Sequence, residues 1–189
     1  MSLSPSTESV NFFVDHLGNV RAALEWSFSE HGDAGIGVRL MAASAPLFYR
    51  LTLLTECIAW AERAIRGLDC VSRGTRLEFE LQACVGLAFM NARGNARAAR
   101  SAIVRALEVA ESSKDTRSEL FGLRVLFRAE ILSGDFRGLV AISDRCEAAA
   151  RRIEGPHADA IAHGRFTEGF HTLDLVAAAN LLNELRTRR

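Results

Sequence analysis

Apolar side chains recur at three- and four-residue intervals along nearly the whole chain, and no stretch sustains an apolar-polar alternation of period two with β-branched residues. The pattern predicts an all-α protein. Turn signals at Gly32-Asp33, between Gly67 and Gly74, at Arg93-Gly94-Asn95, from Ser112 to Asp115, at Gly134-Asp135 and at Gly155-Pro156 divide it into about nine helices. Asp33, Asn95 and Asp135 each follow a glycine and precede a helical run. In this reading the glycine takes the left-handed position that ends one helix while the next side chain caps the following one. Gly155-Pro156 stops one helix and presets the first turn of another.

The hydrophobic pattern also repeats on a longer scale. Four triplets share a +4, +7 spacing: Cys57, Ala61, Ala64; Ala99, Ile103, Ala106; Leu139, Ser143, Cys146; and Ala178, Leu182, Leu185. Their first members lie 42, 40 and 39 residues apart, and five residues before each comes an inter-helix turn at Thr52, Gly94, Gly134 or Leu173. Small residues at such positions let helices approach closely, with larger neighbours filling the space beside them, as the Gly86 and Phe89 pair does. The order of small and large positions is similar to that of tetratricopeptide repeats, although their period of about 34 is exceeded. HEAT-type repeats have the closer period, yet the short Gly-Asp turns and the alanines favour the tetratricopeptide comparison. That resemblance implies a right-handed superhelical array of antiparallel helical hairpins. The expected layout is an N-terminal linker and leading helix over 1–32, then four hairpins at about 33–70, 74–112, 115–153 and 156–187 in one continuous domain over 33–189.

Bulk composition narrows the class. At 189 residues, 49% apolar and with three prolines, the chain is long enough and apolar enough to fold around a core. Basic and acidic residues number 23 each, so no net positive charge draws the whole molecule to nucleic acid or to an anionic membrane. All but one of the basic residues are arginine, Lys114 being the exception, and so uniform a skew reads as genomic base composition. Cys57, Cys70, Cys84 and Cys146 show neither a CxxC pair nor a zinc-knuckle spacing and are expected to be reduced, buried, small apolar residues. With no signal peptide and no apolar run near the roughly 20 residues of a membrane span, the expected location is cytoplasmic, with no membrane contact. Met1, Ser2 and Leu3 have the look of cloning residues, and the abrupt start suggests a segment of a longer chain.

Two segments carry a more specific resemblance. Asn19-Val20-Arg21-Ala22-Ala23-Leu24-Glu25-Trp26, followed by Gly32-Asp33 and then Glu56, Trp60, Glu62, Arg63, Ala64 and Ile65, resembles a junction in large bacterial transcriptional regulators. In those proteins a winged-helix DNA-binding domain and a STAND-type ATPase precede helical repeats that open with "DNLRAALEW", a Gly-Asp turn and "EGRRWLERAL". The resemblance covers roughly the first third of the chain, and departs from the family where Gly18 replaces Asp, Thr52 replaces Gly and Cys57 replaces Gly or Ala. It implies a regulator whose ATPase and DNA-binding domains lie elsewhere in the parent chain. No GxxxxGK[ST] phosphate loop occurs here, so ATP hydrolysis is not assigned to this segment, and no cofactor is expected.

The residues with chemical potential are each weighed against a plainer role. Trp26 and Trp60 share helix faces with Ala22, Ala23, Ala64 and Ile65, and are expected to be packing wedges between the leading helix and the first hairpin. His157, His163 and His171 are not spaced to place two imidazoles on one helix face; Asp159 and His163 are, but a lone pair of this kind reads as a surface interaction and no metal is expected. Glu25, Glu56, Glu78 and Glu130 read as solvated helix faces, and no nucleophile elbow, paired-carboxylate motif or glycine-rich cofactor loop organises a catalytic site. The basic tail Arg186-Thr187-Arg188-Arg189 complements a helix dipole. What remains is the concave groove that first helices of stacked hairpins form. Tetratricopeptide spacing places Arg39, Tyr49, Asn91, Arg124, Arg128, His163 and Thr167 toward it. Arg124 and Arg128 would grip a carboxylate of a peptide or small effector, or else pair in solvent with Glu119, Glu130 or Asp135. The expected function is a non-enzymatic interaction or effector-sensing segment of a bacterial transcriptional regulator that touches no nucleic acid itself. A purely architectural scaffold, homodimerising through a terminal hairpin, is the alternative, as is a repeat region attached to a signalling enzyme such as a nucleotide cyclase.

Overall fold

A computed structural model of the chain describes residues 7–92 and 96–153. Among them are seven helices and no strand: α1 (Thr7–Ser27), α2 (Ala34–Arg50), α3 (Leu54–Arg66), α4 (Arg76–Asn91), α5 (Ala96–Ser112), α6 (Thr116–Ser133) and α7 (Leu139–Arg151). The protein is all-α, as the hydrophobic period predicts. The hairpin expected at 156–187, with its triplet Ala178, Leu182, Leu185, lies outside the described residues, as do the Asn95 cap, Gly155-Pro156, the three histidines from His157 onward and the basic tail.

The chain divides into two compact units between Val109 and Ala110. In the first, α1 packs on α2, α2 on α3 and α4, and α3 on α4. The start of α2 meets the end of α3, where a side chain on Gly67 would reach Val38 at 3.5 Å. The first turn of α4 likewise meets the second half of α5 through Glu78 and Arg105. Successive helices in these two pairs are therefore antiparallel, and alternate ones run parallel. Arg21 on α1 bonds Glu56 on α3, and the carbonyl of Phe28 accepts from Arg63, each 35 residues on. Asn91 at the end of α4 donates to Tyr49 at the end of α2.

The first unit's core is made where large residues meet small ones. Leu24, Met41, Phe48 and Leu81 are fully buried beside Cys57, Ala61, Ala64 and Ala88. Each large side chain so placed contributes about 1.5–3 kcal/mol of transfer free energy, and the small ones let helix backbones close to the distance at which that burial is complete. Gly86 shows the constraint most plainly: a Cβ there would sit 2.5 Å from the Ile103 side chain. The triplets Cys57, Ala61, Ala64 and Ala99, Ile103, Ala106 all point inward, none more than 1% exposed. In the third triplet Leu139 and Cys146 are buried but Ser143 is only half-buried, and Ile142 takes the inward place, the apolar residue displacing the hydroxyl by one position.

In the second unit α6 packs on α7. The first turn of α6 meets the residue that follows α7, Glu119 accepting from Arg152 at 2.6 Å, so these two are antiparallel as well. Arg145 on α7 bonds Glu111 in the last turn of α5.

Three helices end by one device. At Thr52, Lys114 and Gly134 the backbone is left-handed, with φ of 56°, 57° and 75°. Each of these residues returns its N–H to the carbonyl three back, and the next residue returns its own to the carbonyl five back. This double closure satisfies the orphan carbonyls of α2, α5 and α6. Asp33 caps α2 by accepting from the N–H of Ile36 at 3.1 Å, as expected. Two details of the turns differ from the sequence reading. Gly32 is not left-handed; its glycine identity is required because a Cβ would collide with the Trp26 carbonyl at 2.0 Å. Asp135 accepts from Arg137 N–H within a turn, and α7 starts only after Gly138.

Candidate functional site

The residues expected in a groove of first helices divide by unit. In the first, Asn91 Nδ2 donates to the Tyr49 hydroxyl at 2.9 Å and to the Leu87 carbonyl at 2.8 Å, so the structure brings these two together. Arg39 is exposed on α2, and its charge adds to the two Ser72 hydrogen bonds that hold Asp69 below the usual carboxylate range. In the second unit, Arg124 is half-buried and Arg128 exposed on α6. The Arg124 charge falls on Cys146, whose thiol burial nevertheless pushes up to about 11. Glu119, a candidate partner for both arginines, is engaged by Arg152. His163 and Thr167 lie outside the described residues.

The tryptophans separate. Trp26 is 56% exposed and is not a wedge, because the inward stripe of α1 runs through Leu17, Leu24 and Ser27, one step round the helix from it. Ala22 and Ala23 are exposed with it. Trp60 does pack: its ring stacks on Phe28 with centroids 6.3 Å apart and planes at 19°, and Arg63 lies over both rings at 5.3 and 5.7 Å. A cation on two aromatic faces fixes the carbonyl end of α1 against α3.

Two glutamates expected in solvent are buried, Glu78 at 2% exposure and Glu130 at 5%. Burial pushes the Glu78 carboxyl up, but the Arg105 guanidinium, at 2.7 and 3.1 Å, and the Gly74 N–H together hold it below its ordinary value. The signal for this was present in Thr75-x-x-Glu78. Thr75 caps α4 by accepting from Leu77 N–H at 3.3 Å, while Glu78 reaches back to the N–H of Gly74 at 2.6 Å, one residue beyond the usual capping-box partner.

A cleft of about 860 Å³ lies between α3, α4 and α5 in the first unit. Val85, Phe89 and Ala102 give it an apolar floor, and Arg66, Arg97 and Arg100 line it beside Glu62. Arg105 and Glu108 also line it, but they bond each other at 3.1 Å and Arg105 is further held by Glu78. Four arginines against two glutamates leave the lining positive. Helical spacing produces the wall directly: Arg97, Arg100, Ser101 and Val104 fall on one face of α5 beside Arg105 and Glu108. Chemically, such a cleft offers guanidinium forks for carboxylates at its rim and contact for methylene or ring groups at its base.

Sequence reasoning sought the binding face on first helices and assigned the arginine skew to base composition, so it missed this wall. The readable signal was Arg97-x-x-Arg100 preceding the inward triplet of α5. Among the described residues no cluster of three or more His, Cys, Asp or Glu is poised for a metal, and no helix is long and apolar enough to cross a membrane. Comparisons with protein-family models, with curated proteins and with solved structures each give no match for this chain.

Proposed function

We propose that this chain is a non-enzymatic helical-repeat interaction segment of a bacterial transcriptional regulator, and that its cleft between α3, α4 and α5 holds an acidic peptide segment of a partner. The single observation that carries the reading is the arginine wall, Arg66, Arg97 and Arg100, set over an apolar floor of Val85 and Phe89. Guanidinium groups over an apolar surface suit a peptide that alternates carboxylates with apolar side chains. The regulator context rests on the resemblance of Asn19–Trp26 and Glu56–Ile65 to the start of the repeat region in such proteins. The antiparallel neighbours and parallel alternate helices of the first unit support the tetratricopeptide-like hairpin reading there. Occupancy would reach the rest of a regulator only if the peptide binds one arrangement of the helices better than another.

Fluorescence anisotropy with a labelled peptide alternating Glu and Leu, against one alternating Lys and Leu, tests the reading. Binding of the acidic peptide alone, weakened by salt and lowered tenfold or more by Arg97→Glu with Arg100→Glu, is expected. Both arginines are exposed, so circular dichroism of the variant should match the parent. Equal binding by parent and variant rejects the cleft, and concentration-dependent self-association in sedimentation without peptide binding favours the architectural role.

A further inference from the structure

Cys57 on α3 and Cys84 on α4 face one another across the seam between the two helices, with sulfur atoms 3.1 Å apart. This is only about 1 Å longer than a disulfide bond. Cys57 is fully buried and Cys84 is 8% exposed, and both belong to the core of the first unit. Small size alone does not account for them, since other close-approach positions on the same helices, Ala61, Ala64 and Ala88, are alanines. Two facing thiols add a chemistry that two facing alanines lack.

We propose that Cys57 and Cys84 form a reversible redox modification site, at which a peroxide converts the dithiol to an intramolecular disulfide tying α3 to α4. A sulfur attacks the peroxide, the O–O bond breaks, and one thiol becomes a sulfenic acid with release of water. The second thiol then displaces the oxygen from that sulfur, forming the S–S bond and releasing a second water. The two thiols lose two hydrogens and two electrons, and the peroxide accepts both. A small thiol reductant reverses the bond by exchange. The hydrogen bond shared with Cys84 holds the Cys57 thiol below its ordinary range against the opposing effect of burial, while Cys84 is pushed up, so Cys57 is the first to ionise. Cys84, at 8% exposure, is the less enclosed of the two.

The test uses the full chain carrying Cys70→Ser, which removes the exposed thiol while keeping the buried ones. The folded protein is treated with hydrogen peroxide, alkylated, unfolded and mapped without reduction. The expected product joins the tryptic peptides containing Cys57 and Cys84, leaves Cys146 as a thiol, raises Tm by about 5 °C, and returns to the starting state with dithiothreitol. Cys84→Ala, and separately Cys57→Ala, should give neither the linked peptide nor the Tm rise. Peroxide treatment that leaves both cysteines as thiols while Cys70 of the parent is fully oxidised overturns the proposal. So does a product in which either is joined to Cys146, or ends as an unlinked sulfinic acid.

Discussion

Glu78 and Arg105 form a two-pronged ion pair in which a carboxylate 3% exposed grips a guanidinium from the neighbouring helix at 2.7 Å. The pair ties the first turn of α4 to α5, and the N–H of Gly74 adds a third donor at 2.6 Å. Because folding holds this carboxyl below its ordinary value of 4.5, the pair contributes stability that is fully present above that value and is lost as pH falls through the folded one. Glu78→Gln should lower stability at pH 7 by about 1–3 kcal/mol, the half-exposed arginine keeping the loss below that of a fully buried pair. Urea unfolding at pH 7 and again below pH 4 measures the gap between variant and parent. That gap should narrow in acid.

The left-handed turns at Thr52 and Lys114 carry a cost that glycine would not. A β-branched residue at φ of 56° is the more strained of the two. Thr52→Gly is expected to stabilise the protein by about 0.5–1 kcal/mol, and Lys114→Gly by less, since glycine also loses more freedom on folding. Thermal melts of both variants decide it, and a fall in Tm for Thr52→Gly would show that its hydroxyl bond to the Leu51 carbonyl outweighs the strain.

Gly86→Ala should destabilise by about 1–3 kcal/mol through overpacking, because the added methyl lies 2.5 Å from Ile103. Ile103→Ala alone is also destabilising, by about 2–5 kcal/mol, since it leaves a cavity. The double variant should lose less than the sum, because each change relieves the other. A double-mutant cycle showing simple additivity would place the two residues out of contact.

The two tryptophans should respond differently to truncation. Trp26→Ala is expected to change stability by less than about 0.5 kcal/mol, and Trp60→Ala to cost about 1–3 kcal/mol through loss of stacking on Phe28 and of the Arg63 contact. Chemical denaturation of the pair, followed by circular dichroism, gives the comparison.

Much of the helical architecture was readable because it follows from periodicity. Cys57, Ala61 and Ala64, and Ala99, Ile103 and Ala106, are inward because their spacing puts them on one stripe, and the helix bounds follow from Asp33 and Gly134. Trp26 was misplaced because its size and its alanine neighbours suggested burial, whereas at about 100° per residue it lies well round the helix from the stripe through Leu17, Leu24 and Ser27. Thr52, from the repeat register, and Lys114, within Ser112 to Asp115, fall in expected turns, but neither residue type signals the left-handed backbone found there. Glu78 and the cleft escaped for another reason. The cap spacing of Glu78 and the arginine spacing of α5 were legible, but which helices become neighbours was not, as when α5 brings Arg105 to a glutamate 27 residues earlier.

The exposed left-handed residue between α5 and α6 is also the only lysine in the sequence. Within this sequence an amine-reactive dye or crosslinker therefore has one side chain to find, held in a defined turn between α5 and α6. Labelling chemistry that would scatter over the surface of an ordinary protein is directed here to a single address, and the distance from that address to a tagged ligand becomes a ruler.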